Sequence, residues 1–161
     1  MIKGLLVEDD QGNIDSYKQR FLLRDIELID IDTFPPQASD FWNIVLEKDV
    51  DFIIIDNHLH KKSVPYNGWD VLKEIRDHDS EIYIIYLTSK GISIDEPLLS
   101  HFDLEVDKLN LDQEFQTIAQ RIHRAYSRDV SLKMEREIDK ARELQQKYFE
   151  ERMKILKNKL G

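Results

Sequence analysis

Residues 51–56 read DFIIID and residues 81–89 read EIYIIYLTS. Each is a short, almost wholly apolar run that closes on polar residues, Asp56 in the first and Thr88 and Ser89 in the second. Runs this short bounded by polar residues suit strands better than helices. A strand with no polar face must be covered on both sides, which is the situation at the centre of a parallel sheet whose crossover helices lie on both faces. Two central strands are therefore expected, Phe52–Ile55 and Ile82–Leu87.

Three further strands follow on either side: Ile2–Val7, Glu27–Asp32 and Leu104–Val106. The second and fifth in chain order are more polar and belong at the sheet edges. Between them, Asn13–Arg24 spaces Ile14, Tyr17, Phe21 and Leu22 at helical period, and Pro36–Glu47 opens with prolines suited to a first helical turn. A third helix is expected over Trp69–Asp77, with Val71, Leu72 and Ile75 inward, and a short fourth over Asp95–Phe102. Strands alternating with helices give an α/β domain with a doubly wound parallel sheet. One connection is long and polar, His58–Gly68, and at that length it reads as functional.

From Leu111 the pattern changes. Phe115, Ile118, Ile122, Tyr126, Met134, Ile138, Ala141, Leu144, Tyr148, Met153, Leu156 and Leu160 recur every three or four positions, with no Gly or Pro before Gly161. This is one long helix, or two interrupted near Ser127–Ser131, where Ser, Asp and Val weaken helix propensity. The chain is thus divided into a globular part, residues 1–125, and a helical arm, residues 126–161.

Charge follows the same division. The 161 residues carry a net charge of -9, yet the arm holds 10 basic and 7 acidic residues against 13 and 25 in the globular part. An acidic globule disfavours nucleic acid, whose binding depends on neutralising phosphates. The absence of cysteine excludes disulfides and thiolate metal sites and suits a reducing compartment. The opening MIKGLLVEDD is neither a signal peptide nor an anchor, and no apolar run approaches the roughly 18 residues that span a bilayer. A cytoplasmic protein without membrane contact is expected.

Ligands of parallel α/β sheets bind beyond the carboxyl ends of the strands. There the sequence sets Glu8, Asp9 and Asp10 after the first strand, Asp56 after the third, Thr88 and Ser89 after the fourth, and Asp107 and Lys108 after the fifth. Crowded carboxylates either take up protons or hold a hard cation, for which oxygen donors are preferred, and Mg2+ suits such a set best. With the cation bound, a carboxylate can attack a phosphoryl group while metal, hydroxyl and ammonium stabilise the transferred oxygens. Asp56, on the central strand, is the natural nucleophile. His58 and His60 lack a further partner at ligand spacing and read as exposed loop histidines.

These residues, in this order, resemble the receiver domain of two-component response regulators over about residues 1–125. LLVEDD is similar to that family's first strand and acidic pair, DFIIID to its third strand with the phosphoacceptor, and IIYLTS and VDK to the segments carrying its switch hydroxyl and phosphate-contacting lysine. NGWDVLKEIR, residues 67–76, resembles the glycine and helix that follow the phosphoacceptor loop. The resemblance implies a flavodoxin-like fold with strand order 2-1-3-4-5 and a phosphoryl group taken by Asp56 from a histidine kinase. It further implies Mg2+ held by Glu8, Asp9, Asp56 and the His58 carbonyl, with Thr88, Ser89 and Lys108 contacting the phosphoryl group.

This chain also departs from that pattern. The segment from Asp56 to Gly68 is about four residues longer than in typical receivers, and His60 stands in place of the usual loop proline. Leu109 replaces the proline after the lysine, and Glu105, three before it, replaces the aromatic that commonly couples to the threonine. The arm's apolar stripe, of period closer to 3.6 than 3.5 and interrupted at Gln145, calls for a cover: a second copy in a homodimeric coiled coil, a downstream protein, or the globular part itself. DKARELQQKYF, residues 139–149, resembles the linker helix ahead of receiver-coupled serine phosphatases, so the chain is either the regulatory part of such a protein or a receiver that signals through its helix alone. A pseudo-receiver scaffold that assembles through the arm without phosphorylation is the competing reading.

Overall fold

A computed structural model of the chain describes residues 1–89 and 101–160. It contains five parallel strands, β1 (Ile2–Val7), β2 (Ile26–Asp30), β3 (Phe52–Asp56), β4 (Tyr83–Thr88) and β5 (Leu104–Asp107), in the order β2-β1-β3-β4-β5. The described helices are α1 (Gln11–Leu22), α2 (Phe41–Lys48), α3 (Gly68–His78) and α4 (Leu111–Leu160). The expected helix over residues 95–102 falls almost wholly outside the described residues.

Strand alternation builds two cores. Leu6 of β1, Phe52 and Ile54 of β3, Ile85 and Leu87 of β4, and Val106 of β5 pack with Ile14, Tyr17 and Phe21 of α1 and Phe115, Ile118, Ala119 and Ile122 of α4. The alternate positions, Leu5 and Val7, Ile53 and Ile55, Ile84 and Tyr86, face Phe41 and Val45 of α2 and Val71, Leu72 and Ile75 of α3. Because side chains point to opposite faces at successive positions, a wholly apolar strand requires both layers.

Among the described residues the predicted element types hold, with shifted ends. The second helix is the largest departure: residues 38–40 form a 3-10 turn and α2 starts only at Phe41. The two prolines therefore precede the helix instead of filling its first turn. Phe34 packs edge-on against Phe41, Phe41 against Tyr66, and the Tyr66 hydroxyl donates to the Pro35 carbonyl at 2.7 Å. The proline segment is thus held by aromatic packing and by the long loop. After Leu111 a single 50-residue helix runs without a break at Ser127–Ser131. The chain divides into two compact units, Met1–His123 and the portion from Arg124 onward. In the second, every described residue from Tyr126 to Leu160 is exposed, including Met134, Ile138, Leu144, Tyr148, Met153 and Leu156. Among the described residues, no helix is long and apolar enough to cross a membrane.

Gly68, the first residue of α3, is pressed against the end of β3. A Cβ there would lie 1.9 Å from the Asp56 carbonyl oxygen, and the Gly68 amide donates to the Asn57 carbonyl at 3.0 Å. A methyl cannot enter this contact without moving backbone. Gly68→Ala is expected to lower the unfolding free energy by roughly 2–4 kcal/mol in denaturant titrations, since neither α3 nor β3 can yield locally.

Candidate functional site

Three strand ends converge at the carboxyl edge of the sheet. β1 and β3 are in register with Val7 opposite Ile55, so Glu8 and Asp56 follow side by side. β5 delivers Lys108 from the far side of β4, its ammonium reaching inward over the sheet edge to Asp56. Glu8 and Asp56 are each 1% exposed, and Thr88 is 5% exposed. Carboxylate oxygens of Glu8, Asp9 and Asp56 all lie within 4.8 Å of one another. Lys108 Nζ donates to Asp56 Oδ2 at 2.5 Å and sits 3.2 Å from Glu8 Oε2.

The acidic turn after β1 divides its labour. Asp10 caps α1, its Oδ1 accepting the Asn13 amide at 3.0 Å, whereas Glu8 turns inward and its Oε1 accepts the amides of Asp9 and Asp10, both at 3.1 Å. Glu8 Oε2, fully buried, accepts no hydrogen bond among the described residues. A buried carboxylate oxygen without a hydrogen bond is costly unless a cation faces it, and among the described residues one ammonium serves two carboxylates. The donor set is all oxygen, three carboxylates at ligand spacing, one of them incompletely satisfied. It fits a hard divalent cation such as Mg2+, and Glu8, Asp9 and Asp56 are the side chains that would hold it.

Burial, followed by the neighbouring Asp56 charge, pushes the Glu8 pKa from 4.5 to about 8, with Lys108 pulling the other way. For Lys108, burial opposes the charge, but the hydrogen bond and charge of Asp56 and the charge of Glu8 prevail, and its pKa is raised. The ammonium therefore stays charged across the physiological range.

Of the residues singled out in the sequence, Glu8, Asp9, Asp56 and Lys108 are gathered into one cluster. His58 lies beside it, its amide donating to Asp56 Oδ1 at 3.2 Å. Its ring stacks on His60 at 5.0 Å, with His60 Nε2 and His58 Nδ1 3.1 Å apart. Ser89 follows β4, half-buried. Thr88 directs its hydroxyl to Glu105 Oε1, 3.1 Å away.

Two contributors escaped the sequence reading. Lys61, in the long loop, donates its backbone amide to Asp9 Oδ2 at 2.9 Å and pairs its ammonium with Asp10 Oδ2. Two adjacent lysines in a loop that must pass an acidic turn were the available signal. Asn57, next to Asp56, accepts the Tyr86 hydroxyl through its side-chain oxygen. Nothing in the sequence pattern marks that pair.

A family model for the response regulator receiver domain matches residues 5–97. The chain belongs to the response regulator receiver family. None of the curated proteins compared with it matches. Among solved structures, a CheY-like receiver domain from Methylobacillus flagellatus superposes with a TM-score of 0.62 at 17% identity, over 76% of this chain and 98% of that one. The response regulator TrrA of Thermotoga maritima, solved with Mg2+ and BeF, gives 0.61 at 19% identity, over 76% and 99%. TrrA in complex with the histidine kinase ThkA gives 0.59 at 20% identity, over 76% and 98%. These similarities show the receiver fold.

The Glu8 shift carries a measurable sign. A carboxyl whose pKa is higher folded than unfolded binds protons more tightly when folded, so its contribution to stability falls as pH rises from about 4.5 to about 8. In metal-free protein, Glu8→Gln should therefore gain on the parent by about 2–4 kcal/mol between pH 5 and 8, read by denaturant unfolding at each pH. Mg2+ should close the gap by stabilising only the parent.

Proposed function

We propose that this receiver accepts a phosphoryl group on Asp56 from a histidine kinase and signals through its C-terminal helix. The observation that carries the reading is the buried Asp56 carboxylate, 2.5 Å from the Lys108 ammonium and within 4.8 Å of the Glu8 and Asp9 carboxylates. An Asp56 oxygen attacks the phosphorus of a phosphohistidine. The P–N bond breaks, its electron pair leaves with the imidazole, and an aspartyl phosphate forms. Lys108, held in place by Asp56 and Glu8, offers its ammonium to the oxygens that gain charge. A bound Mg2+ would supply further charge neutralisation at the same oxygens, held by Glu8, Asp9, Asp56 and the His58 carbonyl. Thr88 and Ser89, at the carboxyl end of β4, are the hydroxyls assigned in this reading to contact the phosphoryl group. The chain is its own catalyst for this transfer, and water attack on phosphorus later returns free phosphate.

Assembly is the proposed output. The exposed stripe of Met134, Ile138, Tyr148, Met153 and Leu156 on a 50-residue helix is the kind of surface that a second copy covers in a coiled coil, giving a homodimer in the cytosol. A scaffold that assembles without phosphorylation has one observation in its favour, the engagement of the Thr88 hydroxyl by Glu105.

Incubation with Mg2+ and acetyl phosphate should add one phosphoryl group to the intact mass of the parent and none to Asp56→Asn. Light scattering should report a dimer whose population changes with the adduct. A parent that takes no adduct while remaining dimeric would establish the scaffold instead.

A further inference from the structure

Thr88 closes β4 opposite Asp107 of β5, and Tyr86 lies opposite Glu105. Residues two apart share a face of the sheet, so the Thr88 hydroxyl and the Glu105 carboxylate meet diagonally across the strand pair, at 3.1 Å. A hydroxyl has one proton to give. Here it goes to a charged acceptor, which makes the bond stronger than one between neutral groups. Asp56, in turn, is in register with Leu87, the residue before Thr88.

We propose that Glu105 is a positioning residue that latches Thr88. The hydroxyl proton on Glu105 Oε1 cannot at the same time be given to a phosphoryl oxygen on Asp56, so engagement of the phosphoryl group requires the latch to open. Opening exchanges one hydrogen bond for another and leaves the Glu105 carboxylate unpaired by Thr88. Because Glu105 is exposed, the signal is an anionic group released at the surface of β5, in place of a ring that changes position. This inference rests on the phosphoacceptor reading and adds its regulation: the latch lowers affinity for the phosphorylated-like state and sets a threshold for switching.

A double-mutant cycle on the full chain tests it, with Mg2+ plus beryllofluoride as the phosphoryl mimic and calorimetry as the readout. Glu105→Ala should tighten beryllofluoride binding by about three- to tenfold, because the competing acceptor is gone. Glu105→Gln, which keeps an acceptor but removes the charge, should tighten it less. In a Thr88→Ala background Glu105→Ala should change nothing, and Mg2+ affinity without fluoride should be the same in all variants. Unchanged or weaker binding in Glu105→Ala overturns the latch, as does an equal gain in the Thr88→Ala background, which would mean a general effect of charge. A parent that binds no beryllofluoride overturns the phosphoacceptor reading, and the latch with it.

Discussion

One ammonium among buried carboxylates sets the terms for the whole sheet edge. Among the described residues, Lys108 is the cation facing both Glu8 and Asp56, two carboxylates that folding removes from water. Without it, the cost of burying both charges would fall on a fold that holds only a narrow margin of stability. With it, the cluster still carries more negative than positive charge. Burial first, and the neighbouring Asp56 charge second, favour a proton on Glu8, and the same crowding of carboxylates suits a hard cation. Lys108 can do this only because β5 ends in register with Thr88 and the chain then turns at once into Leu111 and α4, which anchors the strand through Phe115 and Ile118.

The fold was legible because its two central strands have no polar face. Phe52–Asp56 and Tyr83–Thr88 admit one environment, with helices on both sides, and the remaining elements arrange themselves around that requirement. The charged residues of the site were legible for a related reason: in a parallel sheet the residue after each strand is placed by topology, so Glu8, Asp56 and Lys108 had to converge. What was not legible is set by loops and by competition. Pro35 and Pro36 look like a helix start, but the tertiary contacts of Phe34 and Tyr66 hold the segment out of the α-helix, which follows a 3-10 turn and starts only at Phe41. The partner of Thr88 could not be read either, since Glu105 at a position usually aromatic shows only what is missing, while the hydrogen bond it forms depends on the stagger of two strands.

The same acidic turn supplies candidate metal ligands and an ordinary helix cap without conflict because its three carboxylates face three ways. Glu8 enters the protein, Asp9 stays at the rim, and Asp10 closes the first turn of α1. Local backbone amides hold Glu8 Oε1, which leaves the second oxygen to the site. Lys61 adds a restraint from outside by donating its backbone amide to Asp9, so the rim carboxylate is oriented from a segment remote in sequence.

The long loop between β3 and α3 also has a consequence for how such a chain could change over generations. Leu59 and Tyr66, at its two ends, are core residues, 2% and 9% exposed, and Tyr66 shields Phe41. Shortening the loop would uncover the aromatic cluster of Phe34, Phe41 and Tyr66, so its residues are bound to the interior they help to seal. The loop can exchange its exposed residues freely, but its length is tied to the packing of Phe34, Phe41 and the Pro35 carbonyl that Tyr66 holds.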